Sequence, residues 1–128
     1  MSSIRALIVD DSFAMRKMVE RSVRQSGFEL TQVFEASNGA EGLAVLRDNV
    51  VDLILCDINM PIMDGLEFVK QLNSVENAKG VPVVMITSGG SESDVLKAIA
   101  SGAKGYLRKP FAAHQVRDQI ASVLAAKR

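Results

Sequence analysis

The sequence holds 128 residues at 48% hydrophobic content, enough for one domain with a real core and too short for a catalytic domain joined to a separate DNA-binding or membrane module. Fifteen Lys and Arg balance fifteen Asp and Glu, which removes the basic excess that gathers nucleic acid or anionic lipid. A single cysteine, Cys56, cannot form an internal disulfide or a multi-cysteine zinc site, no apolar run reaches the roughly 20 residues of a membrane span, and Asp10 cuts short the only apolar run near the start, so a soluble, cytoplasmic protein with no membrane partner is expected.

Ile4 to Val9 reads as a first strand, and Met15, Met18, Val19 and Val23 then fall at helical spacing up to Gly27, a stop signal. A second strand is expected over Leu30 to Ala36, followed by a helix that buries Leu43, Leu46 and Val50 and opens on an Asn38/Glu41 capping box. Leu53 to Cys56 forms a third, fully apolar run, with Asp64-Gly65 as a turn or cap before a helix carrying Leu66, Val69 and Leu72. Val81 to Ile86 is the fourth strand; Gly89-Gly90 then makes a connector and Ser91 caps a helix with Leu96, Ile99, Ala100 and Ala103 inward. Gly105 to Leu107 is the fifth strand, and Val116, Ile120, Val123 and Leu124 mark a last helix with His114 near its start and Lys127 and Arg128 suited to its C-terminus.

Strict β-α alternation implies an α/β fold, a doubly wound, five-stranded parallel sheet with helices on both faces. The favoured strand order is 2-1-3-4-5, which puts the switch point between strands 1 and 3. In such sheets ligands bind beyond the carboxyl ends of the strands. There the sequence places Asp10 and Asp11 after strand 1, Asp57 after strand 3, Thr87 and Ser88 after strand 4 and Lys109 after strand 5, while strand 2 contributes nothing comparable. Asp10-Asp11-Ser12 alone would read as a helix cap, and Cys56 as core. Caps do not explain acids, hydroxyl and amine converging from four strand ends. Three carboxylates that one lysine cannot neutralise call for a hard divalent cation, Mg²⁺ first and Mn²⁺ second; without nearby His or further Cys, zinc is disfavoured.

These residues resemble the receiver domain of bacterial response regulators, of the single-domain chemotaxis type. The resemblance rests on Asp10-Asp11, on the run Asp57-Ile58-Asn59-Met60-Pro61-Ile62-Met63-Asp64-Gly65, on Thr87, and on Gly105-Tyr106-Leu107-Arg108-Lys109-Pro110-Phe111. It spans nearly the whole chain, residues 1–128 being read as one receiver domain without an output domain, and it implies a flavodoxin-like sheet. It also implies that Asp57 is the phospho-acceptor for a sensor histidine kinase, with Mg²⁺ held by Asp11, Asp57 and the Asn59 backbone carbonyl and by Asp10 through water. Lys109 and Thr87 then contact the phosphoryl group, Tyr106 turns inward as the switch, and the Lys109–Pro110 peptide is cis. The output of this regulator, which is an enzyme only in its own phosphorylation and dephosphorylation, is the face made by helix 4, strand 5 and helix 5. That face is read by a downstream target such as the flagellar motor switch, and a phosphatase is a further potential partner. Many chemotaxis members carry an acid two positions after the strand-4 hydroxyl, where this chain has Gly89.

Three alternatives stand beside this reading. One is a phosphorelay shuttle to a histidine phosphotransfer protein. Another is an Asp-nucleophile phosphatase of the haloacid dehalogenase type, which wants a second Asp where Asn59 stands. The third is a flavodoxin-like nucleotide binder, whose phosphate Asp10 and Asp11 would repel.

Overall fold

The computed structural model describes residues 3–88 and 92–126. The elements alternate as β1 Ser3–Val9, α1 Phe13–Gln25, β2 Glu29–Ala36, α2 Gly39–Asp48, β3 Leu53–Asp57, α3 Gly65–Gln71, β4 Val83–Ser88, α4 Glu92–Ser101, β5 Gly105–Lys109 and α5 Ala113–Ala126, with two 3₁₀ turns, Leu72–Ser74 and Glu76–Ala78, between α3 and β4. The strands form one sheet in the order β2-β1-β3-β4-β5, and every pairing is parallel, as expected from the sequence.

The period of two along each strand divides the core between the two faces of the sheet. Leu7, Val9, Ile54, Cys56, Val83 and Met85 meet Leu43 and Leu46 of α2, Phe68 and Val69 of α3 and Ala98 of α4. Ile4, Ala6, Ile8, Leu53, Leu55, Val84 and Ile86 meet Val19 and Val23 of α1 and Val116, Ile120 and Val123 of α5. Phe68 is wholly buried and fills the space beside Gly42, where a Cβ would stand 2.8 Å from its ring; truncating Phe68 to Ala would cost about 3–5 kcal/mol.

The helix starts carry caps that the sequence announces. Ser12, Asn38 and Asp64 accept from the backbone N–H groups of Met15, Glu41 and Glu67. Glu41 reaches back to the N–H and hydroxyl of Ser37, one residue before the cap. Gly27, at φ 103°, follows the end of α1 in a conformation that favours glycine.

Several expected boundaries and faces move. Asp57, Thr87, Ser88 and Lys109 do not follow their strands but end them, because the ladder continues past the apolar run through Asp57↔Ile86, Thr87↔Arg108 and Ser88↔Lys109. Val81 and Pro82 fall before β4. Val50 lies beyond α2 and is exposed, since α2 ends at Asp48. In α4 the inward stripe is Val95 and Ala98, whereas Leu96 is 65% and Ile99 48% exposed. Both stripes have helical spacing, and the smaller one faces in where α4 closes on α3: a Cβ on Gly102 would already sit 3.4 Å from Val69. Met18 of α1 is exposed as well. The Gly89-Gly90 connector, the Ser91 cap and the placement of Lys127 and Arg128 lie outside the described residues. No helix among the described residues is long and apolar enough to cross a membrane.

Candidate functional site

The carboxyl ends of β1 and β3 lie side by side because Val9 pairs with Cys56, so Asp10 and Asp57 each stand one residue beyond a buried pair. The backbone just after Asp57 is held at both its polar groups: the Ile58 N–H donates to the Ile86 carbonyl at 3.1 Å, and the Gly65 N–H to the Ile58 carbonyl at 2.8 Å. Gly65 admits no side chain, because a Cβ there would overlap the Asp57 carbonyl oxygen and crowd Ile58 Cα at 2.8 Å. The Asp-Gly pair thus caps α3 with Asp64 and lets the returning loop lie against the end of β3.

Asp10 is almost completely buried. Its N–H donates to the Ala36 carbonyl at 3.0 Å, and its carboxylate accepts from the Ser12 N–H at 2.9 Å. Asp11 is exposed at the mouth, and one carboxylate oxygen from each of Asp10, Asp11 and Asp57 lies within 4.8 Å of the others. Lys109 reaches in from β5, its ammonium 3.4 Å from Asp10 Oδ2 and 4.0 Å from Asp57 Oδ1. The Lys109–Pro110 peptide is cis, as the resemblance implies.

Burial raises the Asp57 carboxyl above its ordinary value, and the charges of Asp10 and Asp11 push the same way. Lys109 and the Asn59 backbone N–H oppose them. Burial likewise drives the Cys56 thiol well up, with the Asp57 charge second, which leaves it an inert core group as expected. An all-oxygen set of clustered carboxylates suits a hard divalent cation.

Thr87 is buried on β4, next to β3, one position past the Ile86 that pairs with Asp57. Asn59 lies in the loop just after β3, where its backbone N–H favours the charged form of Asp57. Tyr106 sits on β5 opposite Met85 and is 37% exposed, bordering a groove formed with Val95, Leu96, Ile99 and Arg108. Its backbone N–H donates to Gln119 of α5 at 3.2 Å.

The sequence reading missed two residues. Arg16 Nη1 donates to the Asp10 carbonyl at 2.7 Å and its Nε donates to Glu35 at 2.8 Å, so β2 does contribute to this end of the sheet. Lys17 takes the other Glu35 oxygen at 2.8 Å; this bond first, and Arg16 with it, holds the Glu35 carboxyl below its usual range. The signal lay in the opposite charges of Arg16 and Glu35, but nothing in their spacing announces the contact.

Residues 6–121 match the response regulator receiver domain family. The chain belongs to that family. As a receiver it is a regulatory phospho-acceptor. It is 35% identical over 118 residues to the chemotaxis protein CheY-3 of Vibrio cholerae, covering 92% of this chain and 89% of that one. It is 38% identical over 122 residues to the chemotaxis protein CheY of Halobacterium salinarum, covering 95% and 98%. The solved structure of the chemotaxis response regulator CheY4 of Vibrio cholerae superposes on the receiver with a TM-score of 0.81 at 34% identity, over 95% of this chain and 99% of that one.

Proposed function

We propose that this receiver is a chemotaxis regulator in which Asp57 accepts a phosphoryl group from the phosphohistidine of a sensor kinase. The observation that carries this reading is the convergence of Asp10, Asp11, Asp57 and Lys109 at one end of the sheet. An Asp57 carboxylate oxygen attacks phosphorus, the P–N bond to the donor histidine breaks, and an acyl phosphate remains on Asp57. Asp10, Asp11, Asp57 and the Asn59 backbone are the groups to hold Mg²⁺, which when bound offsets the charge gathering on the phosphoryl oxygens.

In this reading Lys109 exchanges its carboxylate partners for a phosphoryl oxygen, and the Thr87 hydroxyl donates to another. Movement of Thr87 toward the phosphoryl group frees space for Tyr106 to turn inward, which changes the surface of α4, β5 and α5. One to three charge-assisted bonds of about 1.5–3 kcal/mol each are enough to shift a two-state population if they form mainly in the phosphorylated state. A cytoplasmic target protein, the flagellar motor switch in the chemotaxis reading, then binds that face. The names of the relatives support chemotaxis over a phosphorelay shuttle.

Intact-mass measurement after mixing the receiver with Mg²⁺ and acetyl phosphate, or with a phosphorylated kinase, tests the reading. A single phosphoryl adduct is expected, not formed when Mg²⁺ is chelated beforehand and absent in Asp57→Asn. An unmodified wild-type chain, or an adduct that survives in Asp57→Asn, would sink it.

A further inference from the structure

We propose that Arg16 is a positioning residue for the acid pair, held in place by Glu35 on the edge strand. The inference rests on the reading of Asp10, Asp11 and Asp57 as a Mg²⁺ site. Arg16 lies in the first turn of α1, where its own N–H donates to the Ser12 carbonyl at 3.0 Å, and its side chain is only 15% exposed. Its guanidinium spans two acceptors, the Asp10 carbonyl at 2.7 Å and Glu35 Oε1 at 2.8 Å. A planar fork that meets two acceptors at once fixes their relative geometry, which a point-charge ammonium cannot do.

The accepted carbonyl belongs to the peptide that joins Asp10 to Asp11. The Asp10 N–H is committed to Ala36 across the sheet, and the Asp10 carboxylate to the Ser12 N–H and Lys109. The bond from Arg16 sets the remaining freedom, the plane of the Asp10–Asp11 peptide, and so the direction in which the exposed Asp11 carboxylate projects. Glu35 in turn is fixed by the pairing of β2 with β1 through Glu35↔Ile8. Clamping α1 to β2 would need only the bond to Glu35, which Lys17 also makes; the shorter bond to Asp10 is directed at the site.

Calorimetric titration with Mg²⁺ well below the thermal midpoint reads this in the folded protein. Arg16→Ala is expected to weaken Mg²⁺ binding about 10-fold, the low end of what removing a group that orients a metal ligand costs. Arg16→Lys, which keeps the charge and loses the fork, should recover less than half of that loss, and Lys17→Ala should bind as wild type does. Mg²⁺ affinity of Arg16→Ala within twofold of wild type, even with a lower thermal midpoint, reduces Arg16 to a helix clamp and overturns the proposal. Full affinity in Arg16→Lys overturns it too, by showing that charge alone suffices, and that variant decides the matter if Arg16→Ala does not fold. A wild-type chain that binds no Mg²⁺, or an Asp57→Asn chain that binds it as tightly, brings down the metal-site reading itself.

Discussion

The ammonium of Lys109 stands 3.4 Å from Oδ2 of Asp10, a contact between residues 99 positions apart. It joins β5 to β1 across the ends of β3 and β4, and it is the one cation that an ion-pair distance places against either buried acid of the cluster among the described residues. At 4.0 Å from Asp57 it is near enough to favour the carboxylate but too long for a strong hydrogen bond, which leaves it free to be captured by a stronger anion.

Lys109→Met keeps most of the apolar length of the side chain and removes the charge together with its N–H donors. Since Lys109 is the largest influence holding the Asp57 carboxyl down, its loss leaves burial and the two neighbouring carboxylates opposed only by the Asn59 backbone N–H, and the Asp57 pKa should rise further. Carbon-13 NMR titration of the Asp57 carboxyl without metal measures it. A pKa that stays put or falls means that the ammonium does not act on Asp57.

The raised pKa of Asp57 is also a statement about stability. A carboxyl whose folded value exceeds its unfolded one costs the fold its full penalty above the folded value; the penalty shrinks as pH drops through that value and is gone below the unfolded one, near 3.8. Asp57→Asn should therefore be more stable than wild type at about pH 7, with the difference closing as the solution is acidified through the folded pKa. Urea unfolding of the two chains across this range checks it, and a gap that widens toward acid contradicts the assignment. Adding Mg²⁺ at neutral pH should raise the stability of wild type and not that of Asp57→Asn, because a ligand stabilises only the state that binds it.

Sequence periodicity revealed the sheet because its central strands are buried on both faces, and Leu53–Cys56 has no polar position to confuse the reading. The site was legible for a related reason: a polar residue at the end of an apolar strand has one plausible direction to face. Where two stripes compete, the pattern lost its power, and Leu96 and Ile99 lie outside while Val95 and Ala98 lie within. Arg16 and Glu35 stayed hidden because a contact between a helix and an edge strand leaves no periodic trace. Ile62, too, carried no warning, as a β-branched residue in the left-handed region breaks the preference on which sequence reading relies.

Ile62 has φ 69° in the loop between Asp57 and Gly65 and is 85% exposed. It gains little from packing and bears the steric cost of a β-branched side chain at positive φ, on the order of 1–3 kcal/mol. Ile62→Asn substitutes a residue that tolerates this conformation. It should raise unfolding stability by about 1 kcal/mol, which moves the thermal midpoint up by about 3–5 °C for a chain of this size. Calorimetric scanning of the two proteins decides it, and an unchanged or lower midpoint shows that the left-handed geometry is not costly here.

Tyr106 offers a direct optical test of the proposed switch, since the sequence has one tyrosine and no tryptophan and all its tyrosine emission comes from that ring. In the unphosphorylated receiver Tyr106 is 37% exposed beside Leu96 and Ile99, open to a small neutral quencher. If phosphorylation of Asp57 draws Thr87 inward and Tyr106 follows, quenching by acrylamide should fall when Mg²⁺ and acetyl phosphate are added together. Neither alone should do this, and Asp57→Asn should show no response. Thr87→Ala should still take up the phosphoryl group with a weaker optical change, because the hydroxyl that links phosphorus to the ring is gone. Unaltered quencher access in a chain whose mass shows full phosphorylation would mean that the signal leaves the site by another route, and the exposed stripe of Leu96 and Ile99 on α4 would be the next surface to label.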